Sequence, residues 1–238
     1  MIKAVIFDLD NTLVDFMAMK EAAVVSAITA MIDAGLKTSP AEAKRKIYEI
    51  YQEEGIEDQR VFDKFLAKEI GKIDYRIHAA GIIGYRRARE AAMVLYPHVQ
   101  LTMIGLIKRG LRLAVISDAP RLQAWLRLSQ LNLHNIFDTV ITFEDTGRRK
   151  PDPAPFRLAL QKLKVKPQEA LMIGDWAERD IIGAKLLGMK TAFARYGDTF
   201  GTAKSGAEYE INDVLQILDI VDRLNRIAPK KKGKKPGY

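Results

Sequence analysis

Short apolar runs rich in β-branched residues punctuate the chain at Ile2–Phe7, Leu111–Ile116, Thr139–Phe143, Ala170–Ile173 and Thr191–Ala194. Within each run apolar residues follow one another rather than alternating with polar ones, the pattern of strands buried on both faces. Helical patterns of about 10–14 residues separate the later runs. Alternating strand and helix predicts a doubly wound α/β domain built on a parallel sheet. Tyr209–Ile211 reads as a short edge strand, followed by a last helix over Asp213–Arg226.

The stretch between the first two strands has a different period. Val24, Val25, Ile28, Met31 and Ile32 recur at helical spacing, as do Ala43, Ile47 and Ile50, and then Val61, Phe62, Phe65 and Leu66. Turn signals at Gly35, Ser39-Pro40, Gly55 and Gly71 divide these helices. A fourth helix carries Ala80, Gly81, Gly84, Ala88 and Ala91, small residues that let a neighbour approach closely. The expectation is a core domain over residues 1–15 and 96–228, an all-helical insert over 16–95, and a separate tail over 229–238. No internal repeat is visible.

With 48% apolar residues in 238, the chain can bury a real core. No apolar run approaches the roughly 18 residues that a membrane-spanning helix needs. Met1-Ile2-Lys3 leads straight into a strand, and Asp8 and Asp10 follow, so neither a signal peptide nor a membrane partner is expected. Zero cysteines exclude disulfides, a thiolate nucleophile and a cysteine-based zinc site, and a cytoplasmic location is expected. The net charge of +8 invites a nucleic-acid partner, but its distribution argues against one. Lys230, Lys231, Lys232, Lys234 and Lys235 lie in the last nine residues, and setting them aside leaves +3. Such a Lys/Gly/Pro tail cannot bury apolar surface and reads as a disordered, solubilising segment.

Chemistry-bearing residues stand at the ends of the predicted strands. The first ends in Asp8, Asp10 and Thr12, spaced two apart; the second in Ser117-Asp118. Lys150-Pro151 follows the third, and Gly174-Asp175 ends the fourth, with Asp180 beyond it. Two carboxylates at the end of a buried strand are costly unless compensated. Carboxyl ends of parallel strands are also where α/β domains bind ligands. Singly, each residue has a plain explanation as a helix cap, a surface cation or a turn residue. An acid pair, a hydroxyl, a lysine and a second acid pair in order at successive strand ends are poorly explained by chance.

That ordered set resembles the four motifs of the haloacid dehalogenase superfamily, over roughly residues 1–212. The resemblance implies a Rossmann-like core, with the insert at 16–95 as a helical cap between motifs one and two. It implies a magnesium-dependent phosphatase acting on a small phosphorylated substrate. In that scheme Asp8 is the nucleophile, Asp10 the general acid and base, and Thr12 the residue that orients Asp10. Ser117, Asp118 and Lys150 bind the substrate phosphate. Asp8, the Asp10 main-chain carbonyl and Asp175 hold Mg2+, and Asp180 pairs with Lys150 or orients a water. An acid at position 10 separates the chain from the dehalogenases proper, whose halide leaving group needs no proton. A phosphomutase resembling β-phosphoglucomutase shares these motifs and remains an alternative, as does a non-catalytic scaffold holding nucleic acid through its tail. Trp176 and Arg179 depart from the residues many relatives carry there; Trp176 is expected to pack rather than line the entrance. Phe16 could face the leaving group. Arg76, His78, Arg86, Arg87 and Arg89 are expected to be solvated helix charges, with His78 structural. Substrate identity and oligomeric state stay open.

Overall fold

The computed structural model describes residues 1–227; the expected basic tail at 229–238 lies outside them. In chain order the elements are β1 (Ala4–Phe7), α1 (Phe16–Asp33), α2 (Pro40–Glu54), α3 (Val61–Ile70), α4 (Tyr75–Ala92), α5 (Val99–Lys108), β2 (Arg112–Ile116) and α6 (Arg121–Gln130). Then follow β3 (Thr139–Ile141), α7 (Phe143–Thr146), α8 (Pro153–Leu163), β4 (Ala170–Gly174), α9 (Ile182–Leu186), β5 (Lys190–Ala194), β6 (Tyr209–Ile211) and α10 (Gln216–Ile227). Two compact units emerge: Met1–Leu13 with the described residues from Tyr96 onward, and Val14–Leu95.

The first unit is a six-stranded parallel sheet in the order β3-β2-β1-β4-β5-β6, an α/β Rossmann-like fold. Every residue of β1 and β4 is buried, as their unbroken apolar runs require when both sheet faces are covered. Ala4, Ile6, Ala114, Ile116 and Met172 pack with Phe156 and Leu160 of α8 on one face. Strand alternation turns Val5 and Phe7 to the other. Register matters most for function. Phe7 pairs with Val115 on one side and Ile173 on the other, so β1, β2 and β4 end nearly level and the residues after them emerge together.

Four boundaries in particular differ from the apolar pattern. β1 and β2 begin at Ala4 and Arg112. β3 stops at Ile141 because the Asp145 carboxylate accepts both the Thr142 main-chain N–H and its hydroxyl, at 2.8 Å each, which turns the chain into α7. The last helix begins at Gln216 rather than Asp213, since Gln216 Oε1 accepts the Asn212 N–H at 2.8 Å and the Asp213 N–H at 3.2 Å.

The second unit is α1 to α4 with a core of Val24, Ile28, Met31, Ile47, Phe65, Leu66 and Ile77. Asp15, Ser39 and Asp74 cap α1, α2 and α4 by accepting main-chain N–H groups. α1 is the neighbour that the small residues of α4 admit: a Cβ on Gly84 would stand 2.8 Å from the Ser26 carbonyl oxygen. Among the described residues no helix is long and apolar enough to cross a membrane.

Candidate active site

The level strand ends gather the acids. Asp8 directly follows β1, its N–H donating to the Ile173 carbonyl at 2.8 Å, and Asp175 directly follows β4. Past Asp175 the chain makes a wide turn over Ala177–Ile181 before α9, and this turn points Asp180 inward. Carboxylate oxygens of Asp8, Asp175 and Asp180 lie within 4.8 Å of one another, and all three residues are buried. Gly174 makes room for them: a Cβ there would stand 2.2 Å from the Asp180 carboxyl carbon.

Lys150, 5% exposed, reaches into this group. Its Nζ donates to Asp8 Oδ1 and, at 2.6 Å, to Asp180 Oδ1. The lysine loop is anchored from β2: Asp118 Oδ1 accepts the Lys150 main-chain N–H at 3.0 Å, and Asp118 Oδ2 accepts from Arg179 at 3.2 Å. Ser117 is buried, and its hydroxyl accepts the Ala119 N–H at 3.2 Å. Its own N–H serves the β2–β3 ladder, donating to the Ile141 carbonyl.

One ammonium among three buried carboxylates leaves negative charge uncompensated. Burial pushes Asp8 well above the usual carboxylate range, against the pull of Lys150. Burial likewise raises Asp180. Burial and then the Asp180 charge push Asp175 up to about 7. For Lys150 burial acts downward, but Asp180 and Asp8 outweigh it and hold the ammonium above its ordinary range. Buried hard oxygen donors in excess of cation suit a hard divalent ion, so the residues present fit magnesium.

The structure gives partners to several residues named from the sequence. Thr12, expected to orient Asp10, gives its one hydroxyl proton to Asp175 Oδ1 at 2.8 Å, because the level ends of β1 and β4 bring those two together. Asp118, expected at the phosphate, directs its carboxylate to the Lys150 main-chain N–H and to the Arg179 guanidinium. Trp176 is half-buried, with its indole between the Arg179 guanidinium carbon at 3.6 Å and the Phe200 ring at 4.3 Å. In the helical unit His78 Nε2 pairs with Asp63 at 2.8 Å, and Phe16 is buried at the start of α1.

Two contributors escaped the sequence reading. Arg127 on α6 donates from Nη1 to Asp10 Oδ2 at 2.7 Å. A charged residue between Ala124 and Leu128, on the buried face of a helix, was the available signal. The segment after β5 buttresses the nucleophile loop: the Tyr196 hydroxyl donates to the Thr12 carbonyl at 2.8 Å, and a Cβ on Gly197 would lie 1.7 Å from the Asn11 carbonyl oxygen. Nothing local in the sequence signals that contact.

Residues 2–188 match the family model described as a haloacid dehalogenase-like hydrolase. The chain is 35% identical to a glyceraldehyde 3-phosphate phosphatase of Methanocaldococcus jannaschii, over 95% of this chain and 100% of the relative. It is 34% identical to one of Methanopyrus kandleri, over 94% and 99%. Its fold matches the crystal structure of a HAD phosphatase from Thermococcus onnurineus with a TM-score of 0.69 and 26% identity, covering 92% of this chain and 98% of that one.

Proposed function

The chain belongs to the haloacid dehalogenase-like hydrolase family, and from that premise we propose that it is a magnesium-dependent phosphatase that cleaves a small phosphorylated metabolite through an aspartyl-phosphate on Asp8. One observation carries the proposal: Asp8, Asp175 and Asp180 converge within 4.8 Å around Lys150 at a single sheet edge. The names of the relatives support glyceraldehyde 3-phosphate as the first substrate to try.

In this mechanism the Asp8 carboxylate attacks phosphorus and the bond to the leaving oxygen breaks, splitting one hard displacement into two easier ones. Asp10 protonates the leaving oxygen, then takes the proton from the water that attacks the aspartyl-phosphate, releasing phosphate and restoring Asp8. Lys150 and the Ser117 hydroxyl offset charge on the phosphoryl oxygens. Asp118 holds the Lys150 loop by its main chain, and Asp180 holds the ammonium head. Asp8, Asp175 and the Asp10 carbonyl would hold magnesium, which would supply further positive charge at the transferring group. Thr12 steadies Asp175 for that task.

A screen for phosphate release from triose, sugar and nucleotide phosphates, with and without magnesium, tests the proposal. Magnesium-dependent turnover that Asp8→Asn abolishes is the expected result. Transfer of phosphate between positions of one sugar without release would replace the reading with a phosphomutase. No release from any ester by the intact protein would end it.

A further inference from the structure

Among the described residues Arg127 is the only arginine that is buried, at 4% exposure. It shares the inner face of α6 with Ala124 and Leu128, so a guanidinium occupies a position that the helix spacing gives to core. A charge in such a place costs several kcal/mol unless a partner compensates it. Asp10 is such a partner, its Oδ2 at 2.7 Å and its position 117 residues away in the chain.

We propose that Arg127 is a positioning residue that fixes the orientation of the Asp10 carboxyl for proton transfer. The inference rests on the phosphatase reading above. Asp10 lies three residues beyond the end of β1, in the loop that leads to the helical unit's first residues. Tying Oδ2 to a buried guanidinium selects one rotamer and so sets the direction in which the other oxygen points. The contact suits both halves of the cycle. A guanidinium can donate to Oδ2 whether or not Oδ1 bears the proton, so the carboxyl can give a proton to the leaving oxygen and later take one from water without releasing Arg127. A planar group with donors in a fixed fork holds direction as well as charge, which an ammonium does not.

Leaving-group dependence separates this role from a merely structural one. A p-nitrophenolate departs without a proton, whereas an alkoxide requires one, and kcat/KM reports the chemistry through departure of that group. Both kcat/KM values would be measured, for p-nitrophenyl phosphate and glyceraldehyde 3-phosphate, in the wild type, Arg127→Gln and Arg127→Lys. The expected result for Arg127→Gln is a loss of about 100-fold on the alkyl ester and less than about fivefold on the aryl ester, with Arg127→Lys between it and the wild type. In an Asp10→Asn background, Arg127→Gln should leave the alkyl-to-aryl ratio where Asp10→Asn alone puts it. An unchanged ratio in the variants, whether both rates fall together or neither falls, overturns the inference and leaves the phosphatase reading standing. Should Arg127→Gln fail to fold, Arg127→Lys carries the same ratio test. A wild type that releases phosphate from no alkyl or aryl ester would overturn the phosphatase reading itself, and the inference with it.

Discussion

Replacing Asp175 by Asn should reverse its effect on stability according to whether magnesium is present. Asp175 is buried beside Asp8 and Asp180, and burial followed by the Asp180 charge lifts it from an ordinary 3.8 to about 7. A carboxyl whose folded-state pKa is raised contributes its stability below the unfolded value and loses it as pH climbs through the folded one. The metal-free wild type should therefore lose up to about 4 kcal/mol from this group between about pH 4 and pH 8. Asparagine keeps the shape and still accepts from Thr12 but carries no charge, so it escapes that loss. Because the pocket's burden is shared with Asp8 and Asp180, a gain of about 2–4 kcal/mol is expected for Asp175→Asn in chelator at about pH 8, or roughly 4–16 °C in Tm for a chain of this size. Near pH 4, where the wild-type carboxyl is protonated, the two proteins should melt together. Saturating magnesium at about pH 8 should invert the order, since the ion stabilises only the protein that binds it. Thermal melts followed by circular dichroism, in chelator and in magnesium, measure all three conditions. An Asp175→Asn protein less stable than the wild type in chelator at about pH 8 would refute the claim that three crowded acids await a cation.

Three further outcomes follow from particular contacts. Thr12→Val removes the hydroxyl that donates to Asp175 and should weaken magnesium about 10–100-fold, read from the metal dependence of the rate. Gly174→Ala sets a methyl 2.2 Å from the Asp180 carboxyl carbon, so Asp180 must leave Lys150; a loss of about 3–5 kcal/mol in the melt, together with most of the activity, is expected. Gly197→Ala presses on the Asn11 carbonyl, 1.7 Å from the new methyl, and should lower kcat about 100-fold by shifting the loop that carries Asp10, as steady-state kinetics would measure.

Local pattern made the architecture legible. Burial on both faces writes an unbroken apolar run, so β1 and β4 announce themselves as inner strands of a parallel sheet. A close neighbour to α4 was readable from Gly81 and Gly84, and the structure supplies α1 as that neighbour. Where polar side chains redirect the main chain the pattern was silent: Asp145 cuts β3 short, and Gln216 delays the last helix. The wide turn that sends Asp180 toward Lys150 has no period to read.

What the sequence by itself determined is the class of fold, the membership of a hydrolase family and the residue types that stand at each strand end. Fold class and residue types follow from near neighbours in the chain, where spacing and side-chain chemistry act directly, and family membership from the order of the motifs along it. Partnership was decided only in three dimensions. Thr12 meets Asp175 across 163 positions, Lys150 meets Asp8 across 142, and Arg127 meets Asp10 across 117. Each meeting depends on which strands lie side by side and on how level their ends are. Register and strand order are properties of the closed sheet, set by packing its two faces at once, and no stretch of residues encodes them alone.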